Sequence, residues 1–190
     1  MKTMLRATVA TLPLLLATAA LAQQQTFNIN PDSSKVSFTL ASHDTVQGDF
    51  HVEKGAIVFD RSAATIAGEV VVAAGSGKTG NDSRDKKMTT QILDAPHFAD
   101  ATFAPKSYKG TIAASGDSAI EVSGVFTLHG TAHDLTVPMQ LHIDGVKCTA
   151  STHFVVPYVQ WGLKDPSIMI LKVAKQVDVT ATFVGFIAAN

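Results

Sequence analysis

The chain has 190 residues, and its 15 basic and 16 acidic residues give a formal net charge of −1. Because the charges balance and no basic stripe is interleaved with aromatic residues, we do not expect a nucleic-acid-binding surface. Cys148 is the single cysteine, so an intramolecular disulfide is excluded. We interpret Cys148 as a small buried residue near the start of a strand, in preference to a reactive thiol.

The first 22 residues have the pattern of a secretory signal peptide. Two basic residues precede an apolar run over Val9–Leu16, and Ala20-Leu21-Ala22 places small residues before the predicted cleavage at Gln23. The apolar run is shorter than the ~20 residues that a membrane anchor needs. We therefore expect an exported, periplasmic protein with a signal peptide over 1–22 and a single domain over 23–190.

Most of that domain alternates apolar and polar residues with a period of two, which is typical of strands with one apolar face. The clearest stretch is 120–143, where apolar residues alternate on both sides of a predicted turn over His129–Asp134. Its inward residues are expected to be Val122, Gly124, Phe126, Leu128, Leu135, Val137, Met139, Leu141 and Ile143. Further strands are predicted over Ser34–Leu40, Val46–Val52, Gly55–Phe59, Thr65–Ala73, Ala101–Tyr108, Lys109–Ser115, Lys147–Val155 and Lys175–Phe186.

Turn signals about every 8 to 12 residues are the spacing of all-β sandwiches and barrels. In an all-β chain the apolar faces must meet inside one of these two architectures. Eight strands that close on themselves leave room for one small ligand, as in lipocalins. From the alternation alone, a solid core and a hollow interior both stay open.

One short helix is predicted over Asn81–Leu93. Asp82 or Ser83 is expected to cap its N-terminus, and Met88 and Ile92 share a face at positions i and i+4. A lone helix between strands most simply covers one opening of a barrel.

Two further segments each allow two interpretations. The polar run Arg84–Lys87 of the helix is a solvated face, or else it helps to hold a polar headgroup at the opening. Trp161 and the apolar run Ile168–Leu171 suggest a buried strand. Alternatively, they form a loop tip that transiently contacts the membrane, with Lys164 and Lys172 near headgroups.

Several segments, taken together, resemble the YceI-like family. The resemblance rests on Gly48-Asp49-Phe50, Ile57–Asp60, Thr79-Gly80 with Ser83-Arg84-Asp85, Ile92-Leu93-Asp94 with Phe98, Gly124–Gly130 and Val137-Pro138-Met139. It spans essentially the whole mature chain. It implies an antiparallel eight-stranded lipocalin-like β-barrel and a periplasmic polyisoprenoid- or lipid-binding protein, a carrier and not an enzyme. Two loops depart from the family pattern: the one between Leu40 and Val46 is shorter, and Val156–Pro166 replaces a glycine-rich loop.

We expect a long-chain hydrophobic ligand inside the barrel: a polyisoprenoid, an isoprenoid quinone or a fatty-acyl derivative. The residues expected to bind it are Phe38, Leu40, Phe50, Met88, Ile92, Phe126, Leu128, Met139, Leu141, Phe154 and Trp161. Met169 is expected in the lining as well, because methionine adapts to irregular apolar shapes.

The seven histidines suggest the alternative of a histidine-dependent metal-binding or hydrolytic protein acting on cell-envelope material. His129 and His133 are four residues apart, but they flank a turn and do not share a helical face. The sequence has neither an H-E-x-x-H motif nor a G-x-S-x-G motif. We therefore expect no metal, no cofactor and no catalytic residues. The sequence leaves the choice between a monomer and a homodimer open.

Overall fold

The structure, a computed structural model, describes residues 24–168 and 172–189. Its ten strands form one antiparallel sheet. They are β1 Gln25–Ile29, β2 Lys35–Leu40, β3 Val46–Phe50, β4 Val52–Asp60, β5 Thr65–Ala73, β6 Asp100–Gly110, β7 Gly116–Leu128, β8 Thr131–Asp144, β9 Lys147–Val156 and β10 Val177–Ala189. The helical elements are α1 Asp82–Lys87, a π-helical turn Met88–Ile92, and 3₁₀ turns Pro31–Ser33 and Ala74–Ser76.

The sheet closes because β10 pairs on one side with β9 and on the other side with β1 and β2 in succession. β1 and β2 are two halves of one interrupted strand. β4 pairs with β1 and β3 pairs with β2, so β3 and β4 are likewise two halves of one strand, broken at His51. With each broken strand counted once, the fold is a closed antiparallel eight-stranded β-barrel, which confirms the predicted fold class.

The break between β1 and β2 is built by local side-chain hydrogen bonds. The Asn30 side chain accepts from the backbone N–H groups two and three residues later, and Pro31 sets the first position of the 3₁₀ turn. The Ser34 hydroxyl donates to the Asn30 carbonyl at 2.7 Å and accepts from the Val184 N–H at 3.0 Å. β10 therefore stays hydrogen-bonded across the break. β1 itself was not predicted from the sequence.

The β7–β8 hairpin turns on two residues, not on the six that were predicted. His129 and Gly130 have positive φ values of 51° and 72°, the conformation of a type I′ turn. Leu128 pairs with Thr131, so the residues up to Asp134 already belong to β8. The polar character of these residues suggested a longer loop, whereas backbone pairing sets the actual boundary.

The prediction of two separate strands over Ala101–Tyr108 and Lys109–Ser115 is wrong. β6 is one strand as far as Gly110, where Lys109 and Gly110 still pair with β7. The connection to β7 occupies residues 111–115, and Gly116 begins the next strand. Alternation continues through this connection, and alternation alone does not mark where a chain leaves a sheet.

The helix differs from its prediction at its start. Asn81 is the N-cap, in place of Asp82 or Ser83, and its side chain accepts from the Arg84 N–H at 3.0 Å. The α-helical part ends at Lys87, and the chain continues as a π-helical turn. The Thr89 hydroxyl donates to the Asp85 carbonyl there at 2.8 Å, competing with the helix ladder.

Three connections lie at one end of the barrel, which we call the mouth end: residues 41–45, residues 74–99 and the described parts of 157–176, which are 157–168 and 172–176. They follow the ends of β2, β5 and β9 beside the His129-Gly130 turn. Ile168, in the third connection, lies outside any strand and is 58% exposed. Trp161 is half-buried and also lies outside any strand. For these two residues the predicted buried strand is therefore wrong. Met169–Leu171 lie outside the described residues, as does the predicted signal peptide.

The opposite end, the base, carries the shorter connections near Asp60, Ile112 and Gly145. In the part of the chain that the structure covers, no helix combines the length and the apolar character needed to cross a bilayer.

A candidate lipid-binding cavity inside the barrel

The inward faces of the strands enclose a cavity of about 470 Å³. Along β8 its lining extends from Leu135 near the mouth end to Ile143 at the base. Eight strand residues correspond to roughly 27 Å along a strand, or about 20 Å along the axis of a tilted barrel. The space is therefore long and narrow, which suits an extended chain better than a compact ring system.

Ten of the eleven side chains predicted to bind a ligand line this cavity. They are Phe38, Leu40, Phe50, Met88, Ile92, Phe126, Leu128, Met139, Leu141 and Phe154. The structure brings them together because residues two apart on a strand share a face, and every inner face of a closed barrel meets the same space. That they contact a ligand stays a prediction.

Trp161, the eleventh, lies outside the lining. Its indole stacks on the imidazole of His133 and lies 5.7 Å from the ring of Phe126, which does line the cavity. His133 has the same parity on β8 as the inward Leu135, and Trp161 packs with it against the apolar cluster that contains Leu128 and Leu163. Trp161 therefore lies at the mouth end of the interior, just beyond the cavity lining. Met169 is outside the described residues.

Lining residues on β1 and at the base were not predicted from the sequence. Phe27 and Ile29 of β1 face the cavity, as do Ile112 and Cys148. The sequence does contain a pattern that could have indicated β1, because Thr26-Phe27-Asn28-Ile29 alternates polar and apolar residues like the other strands. Cys148 likewise has the parity of Phe154, which was predicted.

Cys148 is buried, as expected, and its thiol is free. Burial raises the pKa of this thiol to about 11, because the anionic thiolate loses its water shell inside the barrel. Cys148 is therefore a neutral, apolar part of the cavity wall.

The charged side chains of the cavity lining are Arg84 and Lys87, both cations on α1 at the mouth end. The Arg84 guanidinium is held in place by Thr79, since its Nε donates to the Thr79 hydroxyl at 2.8 Å and its Nη2 to the Thr79 carbonyl at 3.0 Å. Thr79 and Ser42 add hydroxyl groups to the same part of the lining.

The interpretation of Arg84–Lys87 as a solvated face is right for Arg84, Lys86 and Lys87, which are exposed, and wrong for Asp85. The side chain of Asp85 is 5% exposed, and its Oδ1 accepts from the backbone N–H of Thr79 at 2.8 Å and from the Thr79 hydroxyl. One residue of the polar run therefore fastens the helix to the preceding loop, while Lys86 points to solvent.

The histidines are dispersed: most lie on the barrel surface or in connections, whereas His133 lies on the inward face of β8 at the mouth end. His97, His142 and His153 each lie beside a different aspartate, at 2.8, 2.6 and 3.5 Å. His129 packs on the Phe98 ring, and His133 packs on Trp161. Over residues 24–168 and 172–189, no three His, Cys, Asp or Glu side chains come close enough to hold a metal ion.

The same barrel occurs in solved bacterial structures. BcnA of Burkholderia cenocepacia superimposes with a TM-score of 0.67 at 21% identity, over 83% of this chain and 99% of that chain. A polyisoprenoid binding domain from Saccharophagus degradans, implicated in plant cell wall breakdown, gives 0.65 at 14% identity, over 86% and 98%. The YCEI protein of Campylobacter jejuni gives 0.55 at 15% identity, over 97% and 92%. At these identities the likeness concerns the fold alone.

Among curated proteins, none matches the chain significantly. The family model of the YceI-like domain, in contrast, matches residues 27–184, which is nearly the whole described barrel. The chain therefore belongs to the YceI-like family.

Proposed function

We propose that this protein is a periplasmic carrier that holds the hydrocarbon chain of a long amphiphilic lipid inside its barrel. The ligand class is a polyisoprenoid, an isoprenoid quinone or a fatty-acyl derivative. The observation that carries the proposal is the long cavity of about 470 Å³ with an almost entirely apolar lining. A soluble barrel with a filled core needs no such space, since protein interiors are normally packed without voids larger than a water molecule.

The size of the cavity is sufficient for useful affinity. At ~30 Å³ for a water-sized group, the volume accommodates at least about fifteen chain carbons. Burial of fifteen methylenes contributes about 12 kcal/mol gross at ~0.8 kcal/mol each, against association costs of about 4 to 15 kcal/mol. Affinity then depends on chain length more than on any one polar contact.

The role of a carrier, and not of an enzyme, is supported by the chemistry of the lining. Thr152 is one of its few polar groups, and its hydroxyl already donates to the Pro138 carbonyl at 2.6 Å. The Saccharophagus degradans domain of the same fold is named as polyisoprenoid binding, which supports a lipid as the ligand here.

Delivery to or from a membrane would take place at the mouth end. Ile168 projects from the 157–176 connection with 58% of its surface exposed. An exposed aliphatic side chain beside a lipid opening suits transient contact with a bilayer surface.

Export to the periplasm rests on the signal-peptide pattern of residues 1–22. N-terminal sequencing of the periplasmic fraction should find a mature chain that begins at Gln23.

The decisive experiment is native mass spectrometry of the mature protein, followed by extraction and identification of any bound lipid. The wild type should carry a hydrophobic ligand or take one up stoichiometrically. Met139→Asp, which places a charge in the lining, should abolish uptake, and Phe126→Asp should do the same. Gln140→Asp, on the outer face of the same strand, should not. Full uptake by a folded Met139→Asp variant would rule out the interior site.

A further inference from the structure

We infer that the lipid carried in this barrel has an anionic headgroup, a phosphate or a carboxylate, which Arg84 and Lys87 bind at the mouth. This inference rests on the proposed function, because it takes the cavity as the lipid site, and it adds the chemical class of the headgroup. The observation that carries it is the sign of the charges in the lining. Both charged side chains among the described lining residues are cations, and they lie about one turn apart on the same helix.

Neither cation has a carboxylate partner within 4.0 Å in the described parts of the chain. Of the two carboxylates on α1, Asp85 is buried outside the lining and its Oδ1 accepts two hydrogen bonds from Thr79. Asp82 is exposed and also lies outside the lining. Neither cation neutralises a carboxylate of the described chain through a direct ion pair. Their positive charges are instead left available at an otherwise apolar opening.

Other carboxylates near the mouth end do not neutralise the site. Asp44 is fully open to solvent beside His43, and Asp49 pairs with Lys35 at 3.3 Å. Asp165 accepts from the backbone N–H of Ser167 at 2.9 Å. None of these three aspartates belongs to the lining.

The arrangement around Arg84 suits an anion for a second reason. Its two hydrogen bonds to Thr79 use one N–H of Nε and one of Nη2. Three of the five guanidinium N–H groups stay free, in a planar group whose orientation is already set. A pre-oriented guanidinium binds an oxyanion with less loss of side-chain entropy than a free one. Lys87 places a second cation beside this guanidinium at the opening, whereas the Thr79 and Ser42 hydroxyl groups already donate to Asp85 and to the Asp44 carbonyl.

A matched pair of ligands tests the inference: farnesyl monophosphate and farnesol, which share one C15 chain and differ in headgroup charge. Binding to the delipidated mature chain is measured by competition with a fluorescent fatty acid. The phosphate should bind about tenfold more tightly than the alcohol, as expected for charge-assisted hydrogen bonds at a partly exposed site. The ratio of the two affinities should fall as the salt concentration is raised from roughly 0.05 to 0.5 M, because salt screens the interaction between exposed charges.

Variants locate the effect. Lys87→Gln and Arg84→Gln should each reduce the ratio of the two affinities, and the double variant should bring it close to one. Arg84→Lys keeps the charge and should retain part of the preference. Lys86→Gln removes a neighbouring cation that does not line the cavity, and it should leave the ratio unchanged.

The outcomes separate this inference from the proposed function. If neither the fluorescent fatty acid nor either farnesyl compound binds, both the proposed function and this inference are overturned. Equal binding of phosphate and alcohol, or an unchanged ratio in a folded double variant, overturns the anionic headgroup and leaves the lipid carrier intact. Inorganic phosphate should not displace the fluorescent fatty acid. Displacement by inorganic phosphate at concentrations comparable to those of farnesyl monophosphate would show a free-anion site, and the headgroup assignment would be wrong.

Discussion

The imidazole of His133 and the indole of Trp161 stack with ring centroids 4.1 Å apart and an angle of 7° between the ring planes. His133 lies on β8, whereas Trp161 comes from the connection between β9 and β10. The stack therefore fastens that connection against the β7–β8 hairpin at the mouth end. The Phe126 ring, which lines the cavity, lies 5.7 Å from the indole. Trp161 is separated from the proposed ligand by one aromatic ring.

This placement makes Trp161, the single tryptophan of the chain, a reporter of lipid binding. Filling the cavity should move the Phe126 ring or restrict it, and the indole emission should change with saturable, one-to-one stoichiometry. Fluorescence titration with a long-chain lipid checks this. Met139→Asp serves as the blocked control, with no change expected. An unchanged spectrum in a protein shown to be loaded by mass spectrometry would contradict the proposed proximity.

The stack itself should contribute measurable stability. The Nε2 atom of His133 is buried without a hydrogen-bond partner in the described structure. His133→Ala removes the ring contact and should destabilise the fold by about 1 kcal/mol, the usual scale of an aromatic pair. His133→Phe keeps a stacking ring and removes the unpartnered nitrogen, so its free energy of unfolding should equal or exceed that of the wild type.

Urea unfolding compares these two variants with His142→Ala, an exposed histidine on the same strand. Limited proteolysis within residues 157–176 should accelerate in His133→Ala alone. A His133→Phe variant as unstable as His133→Ala would show that the imidazole makes a specific polar interaction instead.

Cys148 should be nearly inert toward thiol reagents at neutral pH. Because burial raises the pKa of its thiol from 9.0 to about 11, the thiolate fraction at pH 8 is on the order of 0.1%, against about a tenth for an ordinary thiol. The alkylation rate should therefore be at least about 100-fold below that of the urea-unfolded chain. It should rise with pH up to about 11.

Because Cys148 lines the cavity, a bound lipid should slow its alkylation further. The rate is followed by mass spectrometry with iodoacetamide. Rapid modification of the folded, empty protein at pH 7 would contradict the burial of this residue.

Ala150 is a small residue of the cavity lining, so a larger side chain at this position should stabilise the empty protein and weaken lipid binding. Ala150→Leu adds three carbons that point into the cavity, and their burial stabilises the empty fold by up to about 2 kcal/mol. The same carbons occupy space that the lipid needs, so affinity for a C15 chain should fall. Thermal unfolding and competition binding test both effects. Thr149→Leu, on the outer face of the same strand, should leave binding unaltered; a similar loss of binding in both variants would contradict the assigned faces.

The β7–β8 turn should be sensitive at Gly130. Its φ of 72° disfavours residues with a Cβ, and a Cβ there would lie 2.5 Å from a carbon of the Phe98 ring. Gly145, in the β8–β9 turn, has a φ of 58°, but a Cβ at this position would have no neighbouring atom within 4 Å. Gly145→Ala should cost about 1 to 2 kcal/mol from backbone strain alone, and Gly130→Ala should cost more. If denaturant unfolding gave the same loss of unfolding free energy for both variants, the Phe98 ring would have moved aside without destabilising the protein.

Much of the barrel could be predicted because strand geometry leaves little freedom. Val122, Phe126 and Leu128 face the same side in any strand, so their burial follows once the segment is a strand. The same holds for the inward residues from Leu135 to Ile143. The boundaries were less predictable. The break at His51 and the two-residue turn at His129-Gly130 depend on which backbone groups find partners across the sheet.

Most of the strands, their inward residues and the resemblance to the family could be read from the alternation and the motifs of the sequence. Alternation is a local property, because successive side chains on a strand must point to opposite faces. The tertiary structure decided whether those inward residues fill the barrel or surround a space, since that depends on the distance between walls contributed by strands far apart in the chain. It also decided that Asp85 is buried while Arg84 and Lys87 reach the opening. In the sequence all three are charged residues of one polar run and are equally expected to be exposed. The hydrogen bonds to Thr79 and the position of the helix on the barrel distinguish them.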